Sequence, residues 1–366
     1  MLLRKYITLG ITNKAYNKED TQMRVGFVDI QVNGCGGIDF NNGALSCDDV
    51  YEATKYLWSK GVTKYLPTII TNDPKVQKRA IKSIITARNQ DSRLKSSIVG
   101  IHLEGPYISP MEGPRGAHNP DYIRDPDWDE FQELQDVAEG LIKIVTLAPE
   151  RDGTIPFIKK AVREGIIIGI GHTAASNEQI GAAISAGAQL STHLGNGAHK
   201  QLDRNQNYIQ YQLSQDALKA SFIADGHHIP FPTLKNYFRA KEIARSILTS
   251  DSIAATGLGP GKYQLVGMDV EVQENGFTSL VGTPFLAGST LNMLQAVENV
   301  AKFVRPSFDD VIQMAADNPA NLLKIPKDEL NSSSFAEIEW KPGDDFTTHL
   351  KVINTIIKGD IVWKAT

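Results

Sequence analysis

Short apolar runs recur along most of the chain, and each is followed by a stretch in which apolar residues return with the period of a helix. The runs are rich in valine, isoleucine and leucine, which is typical of strands buried on both faces of a parallel sheet. Eight such runs are present, and we predict that each forms a strand. They are Val25–Val32, Tyr65–Thr71, Ser97–Leu103, Ile142–Leu147, Ile166–Gly171, Gln189–His193, Ala220–Ala224 and Ser246–Thr249.

Helix start signals lie between these runs. Ser46 is followed by acidic residues, so we predict a helix that begins after it and ends near Lys60. The pair Asp73-Pro74 predicts a second helix, which runs to about Asn89. Further helical stretches cover Ile155–Glu164 and Asn177–Ala186.

Strands that alternate with helices predict an α/β fold with a parallel sheet. Eight such units fit a (β/α)₈ TIM-type barrel, in which the carboxyl ends of all the strands meet on one face. A doubly wound open sheet is the structural alternative. It is usually shorter than this chain of 366 residues, and no GxGxxG follows the first strand.

The pattern changes after the eighth run. The next segment alternates in the manner of antiparallel strands, two helical segments follow, and the tail returns to strands. A short strand is also expected near the N-terminus, at Tyr6–Ile11. The later segments are Lys262–Leu280, Thr290–Val304, Ser307–Ile325, Ala336–Trp340 and Thr348–Trp363.

Both ends of the chain therefore have strand character and lie outside the barrel pattern. We predict that they pair to form one small β-sandwich-like domain beside the barrel. In this division residues 1–24 are its N-terminal part, residues 25–329 are the barrel, and residues 330–366 are its C-terminal part.

Composition narrows the possible partners and location. The formal net charge is −4 and the pI is near 6.1, so no basic field favours nucleic acid or an anionic membrane. Cys35 and Cys47 are the only cysteines and form no CxxC motif, which favours the reducing cytoplasm. No run reaches the ~18 apolar residues of a transmembrane candidate, and the N-terminus has no signal-peptide pattern.

Side chains that can bind a metal ion or transfer a proton follow several of the predicted strands. Glu104 follows the third, His172 the fifth and His193 the sixth, so they should converge on the carboxyl face of a barrel. One carboxylate and two imidazoles are the ligand set of an open catalytic divalent-metal site with a bound water. Asp251, after the eighth strand, is placed to act as general base on that water and then as general acid.

Other histidines and glycines have simpler interpretations. A single histidine at a strand end is more often a hydrogen-bonded structural residue, and it is the joint placement that favours a metal. We expect His102 to be satisfied in the core, although it shares a strand face with Glu104. We expect His199 and His349 on the surface. The glycines of 34–37 form a turn rather than a phosphate cradle, because no helix N-terminus follows at once.

The motifs together resemble the N-acetylglucosamine-6-phosphate deacetylase family of the amidohydrolase superfamily, from about Gly26 to the C-terminus. The motifs that carry the resemblance are Gly26-Phe-Val-Asp-Ile-Gln-Val-Asn-Gly-Cys-Gly-Gly37, His102-Leu-Glu-Gly-Pro106, Gly116-Ala-His118, Gly171-His-Thr173, Thr192-His-Leu194, Ala224-Asp-Gly-His-His228, Ser250-Asp251 and Leu286-Ala-Gly-Ser289.

The resemblance implies one divalent metal ion per subunit, held by Glu104, His172 and His193, with Asp251 as the catalytic acid and base. Zinc is the first expectation, and iron, cobalt and manganese are the alternatives. Related enzymes with HxH after strand one bind a second ion there, but this chain has neutral amides at those positions, Gln31 and Asn33.

The resemblance also implies substrate contacts. His118 matches a histidine that contacts the sugar, and His228, which matches the histidine of the family's Ala-Asp-Gly-x-His motif, is expected to bind substrate. Asn196 and Gly197 match a phosphate-binding segment. Arg204 matches an arginine that binds phosphate from a neighbouring subunit, so we expect a homodimer. Gly195 stands where the family has an aromatic residue, and residues 203–208 lack the usual Gly and Pro.

The function expected from these residues is hydrolysis of the N-acetyl amide of a small amino sugar, first of all N-acetylglucosamine 6-phosphate. The alternative is a deacylase for another N-acetylhexosamine phosphate or an N-acyl amino acid. A second alternative, from another class, is a non-catalytic sugar-binding barrel.

Overall fold

The computed structural model describes residues 22–366 apart from 284, 327, 328, 331 and 343–347. The strand expected at Tyr6–Ile11, and most of the N-terminal part of the predicted small domain, therefore lie outside the described residues. No helix among the described residues is long and apolar enough to cross a membrane.

Strands and helices alternate through the middle of the chain as the apolar runs predict. Strands β1 to β17 are Gln22–Val25, Phe27–Val32, Gly34–Cys35, Ile38–Asp39, Val62–Ile70, Ile101–Glu104, Ile142–Leu147, Ile167–Ile170, Leu190–Ser191, Lys219–Ile223, Ser246–Thr249, Gly261–Leu265, Met268–Val272, Thr278–Leu280, Phe335–Pro342, Thr348–Ile357 and Asp360–Lys364. Helices α1 to α11 are Cys47–Ser59, Pro74–Gln90, Ser92–Ser97, Trp128–Val137, Thr154–Arg163, Asn177–Ala186, Tyr208–Ser214, Phe231–Lys241, Met293–Asn299, Phe308–Ile312 and Asn318–Leu322.

Eight parallel strands form the main sheet, in the order β11-β10-β9-β8-β7-β6-β5-β2. The two outer strands meet just beyond their carboxyl ends. There the amide of Asp251 donates to the carbonyl of Gln31 at 3.0 Å, and the amide of Asn33 donates to the carbonyl of Ser252 at 2.8 Å. These bonds bring the first and last strands together, and the predicted (β/α)₈ barrel is confirmed.

The interior of the barrel is apolar at one level. One buried cluster takes a side chain from each of six barrel strands, so it can only lie inside the barrel, and Leu322 of α11 joins it. Burying a side chain of this size stabilises the fold by roughly 1.5–3 kcal/mol. The strand residues of the cluster are Ile30, Leu66, Ile144, Ile167, Leu190 and Ile247.

A buried polar level lies nearer the carboxyl ends of the strands. His102 contacts the carbonyl of Ile30 through Nδ1 at 3.0 Å and the hydroxyl of Thr146 through Nε2 at 2.7 Å. Thr146 in turn contacts the hydroxyl of Thr192 at 2.7 Å. Both ring nitrogens of His102 therefore have hydrogen-bond partners in the core, as predicted from the sequence. The residues that follow the strands lie next to this polar level.

The termini form a separate antiparallel sheet of β1, β15, β16 and β17. The hydroxyl of Thr355 in this sheet donates to the carbonyl of Trp58 in α1 at 2.6 Å, which fastens the sheet to the side of the barrel. The predicted pairing of the two ends is thus present in the described residues as one four-stranded sheet. The exact domain boundaries, 1–24, 25–329 and 330–366, stay a prediction.

A three-stranded antiparallel sheet, β12-β13-β14, follows the barrel and occupies the segment predicted to alternate. Leu265 of β12 and Met268 of β13 line the cavity at the carboxyl face. The helices predicted after this sheet also form. This small sheet therefore supplies part of the wall of the site.

Candidate active site

Three buried side chains converge at the carboxyl ends of three barrel strands. Glu104 is the last residue of β6, while His172 and His193 each lie two residues beyond the ends of β8 and β9. Glu104 Oε1 lies 3.1 Å from His172 Nε2 and 2.8 Å from His193 Nε2, and the two nitrogens are 3.1 Å apart. The structure therefore brings together the three ligands expected from the sequence, with geometry that could hold a metal ion.

This cluster requires positive charge. Although burial alone would raise the pKa of the Glu104 carboxyl, its contacts with His172 and His193 hold that pKa well below its usual range. The pKa of His193 is raised by Glu104 against the opposing effect of burial. The positive charge that these contacts require can come from protons on the imidazoles or from a metal cation.

The contacts of the second nitrogen of each imidazole bear on whether the positive charge comes from protons or from a metal cation. His172 Nδ1 lies 2.9 Å from the carbonyl of Pro114, which can only accept, so Nδ1 carries the proton. Its Nε2 lone pair then faces the centre of the cluster, which is the arrangement of a metal-ligating histidine. His193 Nδ1 has no hydrogen-bond partner among the described residues. Two imidazole nitrogens and one carboxylate suit a divalent ion at an open site.

Backbone strain is concentrated in the same place. His172, His193 and Asp251 have φ values of 51°, 30° and 49°, in the left-handed region that favours glycine. Such a conformation costs on the order of 1–3 kcal/mol per residue and persists only where the surroundings enforce it. Each of the three residues lies two positions beyond the end of a barrel strand, so the barrel fixes their directions before any ligand binds.

Close contacts hold the ring of His172. Gly197 has a φ of 55°, and a Cβ there would lie 2.6 Å from His172 Nδ1, so only glycine lets this loop approach the ring. On the far side of His172, Glu150 accepts from the Thr173 hydroxyl and from the Ala174 amide, both at 2.6 Å. These contacts fix the chain directly after the imidazole.

Asp251 faces the cluster from the eighth strand. Its Oδ1 accepts from Gln31 Nε2 at 3.0 Å and from Asn33 Nδ2 at 2.7 Å, and Gln31 Nε2 also donates to Glu104 Oε1 at 2.9 Å. Burial, and then the charge of Glu104, raise the pKa of Asp251 to about 7. A carboxyl group with a pKa near neutrality is suited to taking up and releasing a proton.

The cluster opens onto one cavity of about 850 Å³, which four of the five expected substrate residues line. His118, Asn196, Gly197 and His228 all line it. Arg204 is exposed and is not part of the lining in its own chain.

Hydrogen bonds orient His118 and His228, the two histidines expected to contact the substrate. His118 Nδ1 meets the Thr71 hydroxyl at 2.9 Å, and burial lowers the pKa of His118 to about 3, so its ring is neutral. His228 Nδ1 donates to Asp225 Oδ2 at 2.6 Å. These contacts leave Nε2 of His228 available, while Nε2 of His118 faces His172 Nε2 at 3.3 Å.

Three further residues line the cavity that were not expected there from the sequence. His199 was expected on the surface, but it lines the cavity, because the hydroxyl of Tyr208 contacts both its amide, at 2.8 Å, and its Nδ1, at 3.1 Å. Lys200 and His227 also line the cavity. The positions of His199 and Lys200, on the loop that follows His193, were the available signal for these two residues.

Comparisons with known proteins agree with this geometry. The sequence model of the Amidohydrolase family matches residues 25–362. An N-acetylglucosamine-6-phosphate deacetylase of Bacillus subtilis (strain 168) is 33% identical over 360 residues, covering 95% of this chain and 87% of that protein. An N-acetylgalactosamine-6-phosphate deacetylase of Escherichia coli O157:H7 is 30% identical over 299 residues, covering 82% of this chain and 77% of that protein.

A solved structure is similar over the same extent. It is a mutant of the N-acetyl-D-glucosamine-6-phosphate deacetylase of Mycobacterium smegmatis in complex with N-acetyl-D-glucosamine-6-phosphate, with a TM-score of 0.82 and 29% identity. The match covers 93% of this chain and 86% of that chain. The barrel, the buried Glu/His/His cluster and these similarities lead to one conclusion: the chain belongs to the amidohydrolase family, whose members are metal-dependent hydrolases.

Proposed function

We propose that this protein hydrolyses the N-acetyl amide of an amino sugar, with N-acetylglucosamine 6-phosphate as the first candidate, and releases glucosamine 6-phosphate and acetate. The observation that carries the proposal is the buried Glu104, His172 and His193 cluster with Asp251 beside it. Relatives and solved structures that bear this activity in their names match more than nine-tenths of the chain.

Glu104, His172 and His193 would hold one divalent ion per subunit. Zinc suits two imidazoles and a carboxylate best, and iron, cobalt or manganese are the alternatives. When bound, such an ion polarises an amide carbonyl and lowers the pKa of water. A second ion is not expected, because Gln31 and Asn33 direct their amide nitrogens at the carboxylates.

Asp251 is the acid and base of the reaction. Its Oδ1 is held by Gln31 and Asn33, which leaves Oδ2 free to accept the proton of the attacking water. The same carboxyl group then delivers that proton to the nitrogen that leaves as the amine. Burial and the charge of Glu104 raise its pKa to about 7, which supports both steps, because such a group can take up and release a proton near neutral pH.

His118 would bind the acetyl carbonyl. Its ring is neutral, and if the Thr71 hydroxyl donates to Nδ1, the remaining proton lies on Nε2. Nε2 lies 3.3 Å from His172 Nε2, so a donor at this position reaches the centre of the cluster. His118 would therefore stabilise the negative charge that develops on the carbonyl oxygen.

The remaining substrate contacts come from loops around the cavity. Asn196 and Gly197 would meet the phosphate, and His228 would contact the sugar through the nitrogen that Asp225 leaves available. The side-chain amide of Asn196 donates to the carbonyl of His193 at 3.0 Å, and this hydrogen bond holds Asn196 in place.

Arg204 does not line the cavity of its own chain. It would instead bind the phosphate of the substrate in the cavity of a neighbouring subunit. This role requires a homodimer, which we propose together with a cytoplasmic location. Sedimentation at micromolar concentration should give about twice the chain mass of 40.2 kDa. A strictly monomeric protein would exclude the role of Arg204 in trans.

One specific observation favours a second candidate substrate. A relative named for N-acetylgalactosamine 6-phosphate is 30% identical, close to the identity of the first candidate's relatives.

Deacylation of another N-acetylhexosamine phosphate or of an N-acyl amino acid would use the same residues. A non-catalytic sugar-binding barrel is disfavoured because the cluster and Asp251 are all in place.

A substrate panel separates these candidates. Metal-loaded protein should release acetate fastest from N-acetylglucosamine 6-phosphate, and its kcat/KM should fall at least about tenfold without the phosphate, since a charged contact is lost. Acetate release would be followed for the gluco and galacto sugars, with and without phosphate, and for an N-acetyl amino acid. A higher kcat/KM for the galacto phosphate or the amino acid would replace the first candidate.

Replacing Asp251 with asparagine tests the acid and base role. The amide can still accept from Gln31 and Asn33 through its oxygen, but it cannot carry the transferred proton. We expect Asp251→Asn to lower kcat by about 10²–10⁴-fold or more, while metal content stays at the wild-type level. Steady-state kinetics and elemental analysis of the same sample measure both. Near-normal turnover in the metal-loaded variant would show that another group moves the proton.

A further inference from the structure

The charges that line the cavity are unevenly distributed. Among the described lining residues the acidic side chains are Glu104 and Asp251, and the one lysine or arginine is Lys200. The other titratable lining groups are histidines. A phosphorylated sugar carries close to two negative charges near neutral pH, so its phosphate should bind away from the two carboxylates and next to a cation. Lys200 is the lining residue that meets this requirement.

The backbone beside Lys200 is held in place. The preceding residue, His199, is bound through its amide and its ring by the Tyr208 hydroxyl. On the other face of this loop, a Cβ at Gly113 would lie only 3.0 Å from the Ala198 carbonyl and the His199 Cα, so the two loops are in close contact. The point from which the lysine side chain extends is therefore fixed relative to the cavity.

The same loop offers further donors. The amides of Gly197 and Ala198 have no acceptor among the residues that the structure describes, and both residues line the cavity. Backbone N–H groups of this kind are good partners for phosphate oxygens. The loop from 196 to 200 therefore combines neutral donors with one positively charged side chain.

Arg204 is turned away from this arrangement. Asp203 accepts from the amides of Asn205 and Gln206 at 2.9 and 2.7 Å, and this tight turn places Arg204 in an exposed position outside its own cavity. In trans it would depend on assembly, whereas Lys200 needs no second subunit.

We propose that Lys200 is a specificity-determining residue that binds the phosphate of the substrate within its own subunit. The proposal rests on the function proposed above and adds the group that selects phosphorylated over unphosphorylated sugars. It acts on ground-state binding, because a lysine that binds the phosphate takes no part in the proton transfer assigned to Asp251.

The test compares Lys200→Met and Lys200→Arg with Lys82→Met, which removes the same charge from an exposed position on α2. Lys200→Met should raise KM for N-acetylglucosamine 6-phosphate by about tenfold, with kcat changed by less than about twofold. KM for N-acetylglucosamine should not change. Lys200→Arg should retain most of the phosphate preference, Lys82→Met should match the wild type, and added salt should reduce the KM difference.

Two results would count against the proposal in different ways. If Lys200→Met changes KM equally for both sugars, or for neither, Lys200 does not bind the phosphate and this inference is overturned while the proposed function stands. If metal-loaded wild-type protein deacetylates neither sugar, the proposed function is overturned, and the inference about Lys200 with it.

Discussion

The contact of one buried carboxylate with two imidazoles is the constraint on which the rest of this site depends. Glu104 Oε1 lies within 3.1 Å of both His172 Nε2 and His193 Nε2, deep at the carboxyl face of the barrel. A buried carboxylate is strongly destabilising unless positive charge compensates it. The parallel strands bring the three residues together from positions 68 and 89 residues apart, and their geometry fits a metal ion as the source of that charge.

The surroundings of this contact have the features of a pre-organised site. His172, His193 and Asp251 hold left-handed backbone conformations that the barrel must enforce. Gln31 spans the space between Glu104 and Asp251 with one amide nitrogen, so the acid and base group and the metal ligand are held at a fixed separation. Stability is thereby given up locally for fixed positions of the reacting groups.

Much of this could be predicted from the sequence, because the relevant signals are local. Ser46 and Asp49 form a reciprocal cap at the start of α1, as the acidic residues after Ser46 indicated. Glu104, His172, His193 and Asp251 each follow an apolar run, and barrel topology alone then places them on one face. Strand β5, the second strand of the barrel, begins at Val62 rather than at the predicted Tyr65. The residues at its start are partly polar, so the apolar pattern did not indicate them.

Other features depend on contacts between distant segments and gave no local signal. The carbonyl of Pro114 fixes the His172 tautomer, and the Tyr208 hydroxyl turns His199 toward the cavity. The amides of Gln31 and Asn33 could be excluded as good ligands from chemistry alone, but their donation to Asp251 required the structure. Loops that meet only in the folded chain therefore set the details of substrate contact.

The most direct test of the account is metal stoichiometry. Chelator-treated protein would be titrated with zinc by calorimetry, with elemental analysis of the saturated sample, for the wild type and for His193→Asn. We expect one ion per chain in the wild type and less than about a tenth of that occupancy in the variant, whose missing imidazole leaves two ligands. Two ions per chain, no binding, or full occupancy in the variant would contradict it.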